Sequence, residues 1–271
     1  MTTPSWNPIA QYFLAQAKPP KLPRARKQFS NEDLRGARFS DSDLSGARFQ
    51  EVNFRYARLH GVDFVNAHIW GATSGLIVNG IEIQPLIEAE LERRYPGRAA
   101  LFASDPGGVR SAWAFIEQLW ASTTERAQRL GETALHTRVH DEWSFLETLR
   151  HLVLVDDGFL RQVQDRRRPI YEYGVPHAPM RQMFSSVIDL DADPSADQVL
   201  ADRQERMAAV RDYLRAVDDV ELNRVCKKLP RDLHGRDAPV LRCFWRMVNE
   251  EWEHHTFAVR DLATLEKGGE Q

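Results

Sequence analysis

Cysteine is nearly missing from this 271-residue chain, which has two, Cys226 and Cys243. They form no close ligand pair, so cysteine-ligated zinc is not expected, and a chain this long needs no disulfide staple. Long hydrophobic runs are missing too. No apolar stretch approaches the ~18 residues that a membrane span needs, so no membrane partner is expected. The start, "MTTPSWNPIAQYFLAQAKPPKLPRARK", lacks the basic opening and apolar run of a signal peptide. With reduced thiols, this predicts a cytoplasmic protein. A large charge of either sign is also lacking. The formal net charge of −3 argues against bulk attraction to nucleic acid or an anionic membrane. No Ser–His–Asp set, Walker loop or dinucleotide fingerprint occurs. What remains is 42% hydrophobic and 28% charged, enough core for one large domain or two small ones.

The first positive signal is a period of five. Large apolar residues recur at Leu34, Phe39, Leu44, Phe49, Phe54, Leu59, Phe64 and Ile69. Two positions before most of them stands a small or β-branched residue: Ala37, Ser42, Ala47, Val52, Ala57, Val62, Ala67. Neither a helix (3.6) nor a strand (2) has this period. It suits a coil that turns one corner per repeat, with the large residue at its centre. Over roughly residues 29–72 the chain resembles the pentapeptide-repeat family, whose members form a right-handed, four-sided β-helix. Eight repeats make about two coils, a stub in need of caps. Some relatives are acidic rods that mimic DNA. Here residues 21–70 hold nine Lys and Arg against six Asp and Glu. A packing or dimerisation module is therefore the expectation, not a gyrase inhibitor.

Beyond residue 75 the pattern changes. "LIVNGIEI" sets Asn79-Gly80 between apolar runs, a type I′ hairpin signal. A helix over "QPLIEAELERRYP" follows. From about 107 the period is helical, in four segments: 107–130, 142–163, a Ser- or Asp-capped one from 195, and one from 238 that Gly268 and Gly269 close. Four long helices without strands between them imply a four-helix bundle. The proline-rich link after 163 suggests a crossover. The expected organisation is an N-terminal extension (1–28), a repeat β-helix (29–75), a hairpin and linking helix (76–106) and the bundle (107–271).

The last helix carries "NEEWEHHTFAVRDL". Steps of three and four give the stripe Phe244, Val248, Glu251, His255, Ala258, Leu262, Leu265. The stripe through Cys243, Met247, Glu250, His254 and Phe257 runs out at Asp261 and Thr264. The first register predicts that Glu251 and His255 point inward, one turn apart. Burying both is costly unless hydrogen bonds or a metal ion satisfies them. His151, among leucines and valines of the second helix, offers a third group. His151, Glu251 and His255 thus form a candidate metal site; the alternative is a buried polar cluster without an ion. Glu250, Glu253 and His254 read as a solvated face or outer contacts, and Glu147 as an orienter or fourth ligand.

"EWSFLETLRHL" and "NEEWEHHTFAVRDL", with the lead-in "VNGIEIQPLIEAELERRYPGR", resemble the DinB-like superfamily over roughly 76–266. The resemblance implies a four-helix bundle, often dimeric. It implies a three-histidine metal site, one His on the second helix and a His-x-x-x-His pair on the last. Carried over, His151 matches the first ligand and His255 the last. Glu251 stands where the middle histidine is expected. That departure keeps zinc as the first expectation and brings nickel, manganese or iron into view. Active members use low-molecular-weight thiols such as mycothiol or bacillithiol, or are isomerases or sulfur-incorporating enzymes. The expected function is a metal-dependent thiol S-transferase or hydrolase acting on a small molecule, as a homodimer. The alternative is a non-catalytic scaffold with a vestigial site. In the link after 163, Arg166, Arg167 and Arg168 read as a solvated run or a carboxylate clamp; Tyr171, Tyr173 and His177 are undecided.

Overall fold

The computed structural model describes residues 27–30, 32–49, 52–69, 73–229 and 237–268. The chain divides into two compact units, residues 1–74 and 75–271. Of the expected N-terminal extension, all but residues 27 and 28 lies outside the described residues, as does Gly269.

In the first unit the period of five is a period of backbone. A left-handed φ recurs at Gly36, Asp41, Gly46, Tyr56, Gly61 and Asn66. Each lies two positions after a large apolar residue of the repeat. Glycine, Asn and Asp tolerate this region; Tyr56 is the exception. Turns close from Ala37 N to Leu34 O at 3.0 Å, and likewise at Ala47–Leu44, Ala57–Phe54 and Ala67–Phe64. The large residues are less covered than the repeat reading expects. From Leu34 at 45% to Ile69 at 66%, they stay about half exposed. With about two coils, each has at most one neighbour to cover it. Phe49 and Phe54 meet edge to face at 5.3 Å.

The second unit opens with the expected hairpin, β1 (Ile77–Val78) and β2 (Ile81–Glu82), paired antiparallel. Asn79 and Gly80 carry φ of 50° and 82°, as a type I′ turn requires. Helix α1 (Gln84–Arg94) and a 3-10 turn (Arg98–Phe102) lead to α2 (Pro106–Arg129). Then come α3 (Glu132–His136), α4 (Phe145–Val163), α5 (Arg181–Phe184), α6 (Ala196–Arg215), α7 (Asp219–Asn223) and α8 (Val240–Gly268). Before α8, β3 (Val225–Cys226) pairs antiparallel with β4 (Ala238–Pro239), a small ribbon the sequence patterns do not announce. Asp105, Ser144 and Ser195 cap α2, α4 and α6 with side-chain acceptors.

The four long helices are the ones the periodicity predicts. Both α2 and α4 pack against both α6 and α8, so the consecutive helices α2 and α4 take diagonal corners. The link that spans the diagonal is therefore 130–144, from α2 to α4; the proline-rich link after residue 163, expected to cross over, joins the neighbouring helices α4 and α6. The core between them holds Trp113, Trp120, Leu149, Leu152, Leu160, Leu214, Phe244 and Leu262, all at 2% exposure or less. Burial of each such side chain contributes roughly 1.5–3 kcal/mol. Both cysteines are buried and joined in no disulfide. Among the described residues no helix is long and apolar enough to cross a membrane.

Candidate metal centre

Helix α4 is set by a reciprocal cap. The Ser144 hydroxyl accepts from the Glu147 backbone N–H at 3.3 Å, and the Glu147 carboxylate accepts from the Ser144 N–H at 2.8 Å. Arg138 also pairs with Glu147. Glu147 is therefore a capping residue, neither an orienter of His151 nor a ligand. From this fixed start, His151 emerges in the second turn on the side facing α8.

The His151 ring is oriented by backbone. Its Nδ1 lies 2.8 Å from the carbonyl of Val175. A carbonyl only accepts, so Nδ1 carries the proton and Nε2 presents a lone pair. That Nε2 is buried and has no hydrogen-bond partner. Metal-ligating histidines are commonly oriented this way, with the far nitrogen donating to a carbonyl.

Three further ligand atoms surround the lone pair. His177, Glu250 and His254 join His151 in a group whose ligand atoms all lie within 4.8 Å of one another. One oxygen is the common point. Glu250 Oε2 is 3.8 Å from His151 Nε2, 3.9 Å from His177 Nε2 and 3.6 Å from His254 Nε2. These gaps exceed hydrogen-bond length. Ligands bound to zinc at ordinary lengths would stand about 3.3 Å apart at a tetrahedral edge, only a few tenths less. Trp143 walls one side, its ring stacked on His177 at 5.2 Å and on His254 at 5.7 Å, and tilted over His151 at 4.8 Å.

The electrostatics suit a cation. Burial pushes His151 down to about 4, so it stays neutral near pH 7, as a ligand must. Burial works against the charge on Glu250. Imidazoles that donated a proton to it would lower its carboxyl pKa, but His151 turns a lone pair toward it, so a cation would have to do so at that position. Access is uneven. The side chains of His151 and His254 are nearly sealed, whereas Glu250 and His177 are 35% and 36% exposed.

The structure brings together only one member of the expected trio. Glu251 and His255 do point inward, at 0% and 2% exposure, but not toward His151. Glu251 accepts from Arg203 Nη2 at 2.5 Å, and Arg203 Nη1 donates to Asp156 at 2.6 Å. His255 Nε2 meets the Thr123 hydroxyl at 2.9 Å, with Trp120 edge-on at 5.3 Å. The reason is geometric. Helix α8 buries two adjacent stripes because it packs on both α2 and α4. The more apolar stripe, with Glu251 and His255, points to the bundle centre and to Thr123 on α2. The neighbouring stripe, with Glu250 and His254, faces His151 on α4.

Sequence reasoning therefore missed Glu250, His254 and His177. The first two read as solvated because a ligand stripe at the edge of a core is less apolar than the one at its centre. The cue was the doubled Glu-Glu…His-His spacing, which offers two i, i+4 pairs one residue apart. His177 had no periodic signal.

The link after α4 is pinned. Arg150 Nε donates to Tyr173 O at 2.6 Å, Arg166 to Lys228 O at 2.6 Å, and the Tyr171 hydroxyl to Asp202 at 2.8 Å. Arg168 pairs with Asp157 at 3.3 Å. These contacts fold the link onto the bundle and deliver His177 to the site.

Comparison with known families agrees with this architecture. The profile of the DinB superfamily matches residues 116–258, more than half of the chain. Eight copies of the pentapeptide repeat match residues 33–71. No curated protein and no solved structure gave a significant match. The bundle, its cross-helix histidine and carboxylate cluster and the profile match agree: the chain belongs to the DinB superfamily and carries a pentapeptide-repeat segment ahead of its bundle.

Proposed function

We propose that this protein is a divalent-metal-dependent enzyme of the DinB type, with His151, His177, Glu250 and His254 holding the ion. One observation carries the reading. The buried lone pair of His151 Nε2 stands 3.8 Å from a carboxylate oxygen, with no hydrogen bond between them. Two acceptors facing each other repel unless a cation lies between. The donor set of three imidazoles and one carboxylate favours zinc, with nickel, manganese or iron as alternatives.

When bound, such an ion lowers the pKa of a thiol or water that reaches it, making a nucleophile near pH 7. The chain's own residues do the rest. His151 is held in one tautomer by Val175, Trp143 shields one side, and Glu250 and His177 line the side open to solvent. We assign S-transfer or hydrolysis on a small molecule, using a low-molecular-weight thiol. The resemblance to thiol-using DinB-like enzymes supports this assignment.

Elemental analysis of untagged protein tests the metal. About one equivalent is expected in the wild type, and little in His151→Ala or His254→Ala. Absence of metal from the wild type, and failure to take up added zinc, would sink the reading. Turnover of a thiol conjugate that stops on chelation and returns with metal tests the enzymatic part. A loaded protein inert to such conjugates would favour the scaffold alternative.

A further inference from the structure

The four candidate ligands are not equivalent. His151, Glu250 and His254 stand on the long helices α4 and α8, held by the bundle core. His177 stands outside regular helix, just before the 3-10 turn Ala178–Met180, with extended backbone (φ −52°, ψ 147°). The chain before it is fastened by buried side chains at Tyr173 O and Val175 O, from Arg150 and His151. At His177 itself the carbonyl accepts from the Met180 N–H at 2.8 Å and the ring stacks on Trp143, contacts of a surface segment rather than of a long helix. Its side chain is 36% exposed, against 5% for His151 and 8% for His254.

We propose that His177 is an exchangeable fourth ligand, which fills the remaining position at rest and yields it to an incoming thiol-bearing ligand. This rests on the metal-binding reading above and goes beyond the three-ligand pattern. Three residues on rigid helices are enough to retain an ion, as three protein ligands do in catalytic zinc sites. A fourth imidazole from a surface segment closes the sphere without being needed to hold it. The solvent-facing position of His177 puts the exchange on the side a small molecule can reach. The apparent affinity for that molecule is lowered by the fraction of protein in which His177 occupies the position. The exchange is a substitution. The imidazole leaves neutral, and the proton lost by the thiol passes to solvent on the open side of the site.

The test uses the full chain loaded with cobalt(II) under anaerobic conditions, and 2-mercaptoethanol as the thiol. Absorption reads both the ligand set and the thiolate-to-cobalt charge-transfer band. Wild type should bind cobalt with a four-coordinate visible spectrum. His177→Ala should keep cobalt, with affinity lower by about 10- to 100-fold at most, and show an altered visible spectrum. It should also develop the thiolate band at thiol concentrations roughly tenfold or more below wild type. His177→Cys should show a thiolate band with no added thiol, which a merely structural role for residue 177 would not produce. The proposal is overturned if His177→Ala matches wild type in spectrum and thiol response. It is also overturned if His177→Ala loses cobalt as completely as His151→Ala, since His177 would then be a permanent ligand. A wild type that binds no cobalt defeats the metal reading itself, an outcome separate from either of these.

Discussion

Glu250 and His254 stand one position from Glu251 and His255 on the same helix, yet the two pairs live in different environments. The first pair converges on His151; the second is locked to Arg203 and Thr123. Substitutions should therefore separate two phenotypes. Glu250→Gln and His254→Ala should lose most bound metal while the unfolding midpoint of metal-free protein moves little. Glu251→Ala should remove one hydrogen bond from Arg203 while Asp156 still balances the guanidinium, at a cost of roughly 1–3 kcal/mol, read by urea unfolding of metal-free protein. His255 also predicts a pH effect. Burial pushes it down to about 4, below the ordinary histidine value. The unfolded chain then binds the extra proton first, so stability is full above about pH 6.5 and falls as pH drops toward 4. The loss is on the order of 3 kcal/mol for a group this buried. Urea midpoints of metal-free protein across that range should show the decline, and His255→Gln should remove about half of it, since His151, also pushed down to about 4, contributes the rest. At this scale the sequence showed which residues are buried, but not what they touch. Hydropathy marks the centre of a core, while a ligand needs an edge with access to solvent.

Single contacts position whole elements. The Ser144–Glu147 box starts α4, and His151 follows from that start. Ser144→Ala should cost about 1 kcal/mol, with a smaller secondary loss of metal affinity. Arg203 ties α6 to Asp156 on α4 and to Glu251 on α8, and its guanidinium lies 5.8 Å from the Trp120 ring centre on α2. One charged side chain thus touches all three other long helices. Arg203→Met should be among the most destabilising single changes in the bundle, since it leaves two buried carboxylates without their shared cation. The fall in thermal midpoint should be partly relieved in the double variant Arg203→Met, Glu251→Met. The long helices were legible because twenty or so residues of period 3.6 outweigh local noise. The β3–β4 ribbon and the short helices α3, α5 and α7 were not. Two to five residues carry too little periodicity, and tertiary contacts decide them.

For the molecule as a whole, the division at residue 74 separates two kinds of order. Every buried apolar residue of the described chain lies at Leu101 or beyond. The repeat segment keeps its large residues half exposed. Residues 75–271 produced alone should therefore fold cooperatively and retain the full metal content, measured by calorimetry and elemental analysis. The repeat architecture was readable from the sequence because its five-residue spacing has no other structural explanation. The degree to which two coils cover their centres was not, since stacking depends on how many coils there are.

The doubled pattern on α8 has a consequence for how this protein tolerates change. Removing one residue between Val240 and Asn249 would turn the rest of the helix by about 100°. Glu251 and His255 would then arrive where Glu250 and His254 had been, with the same chemical groups on offer to His151. The partners of Arg203 and Thr123 would become Trp252 and Thr256, and the bundle would suffer. Against a frameshift of one step, the metal chemistry has a spare and the scaffold has none.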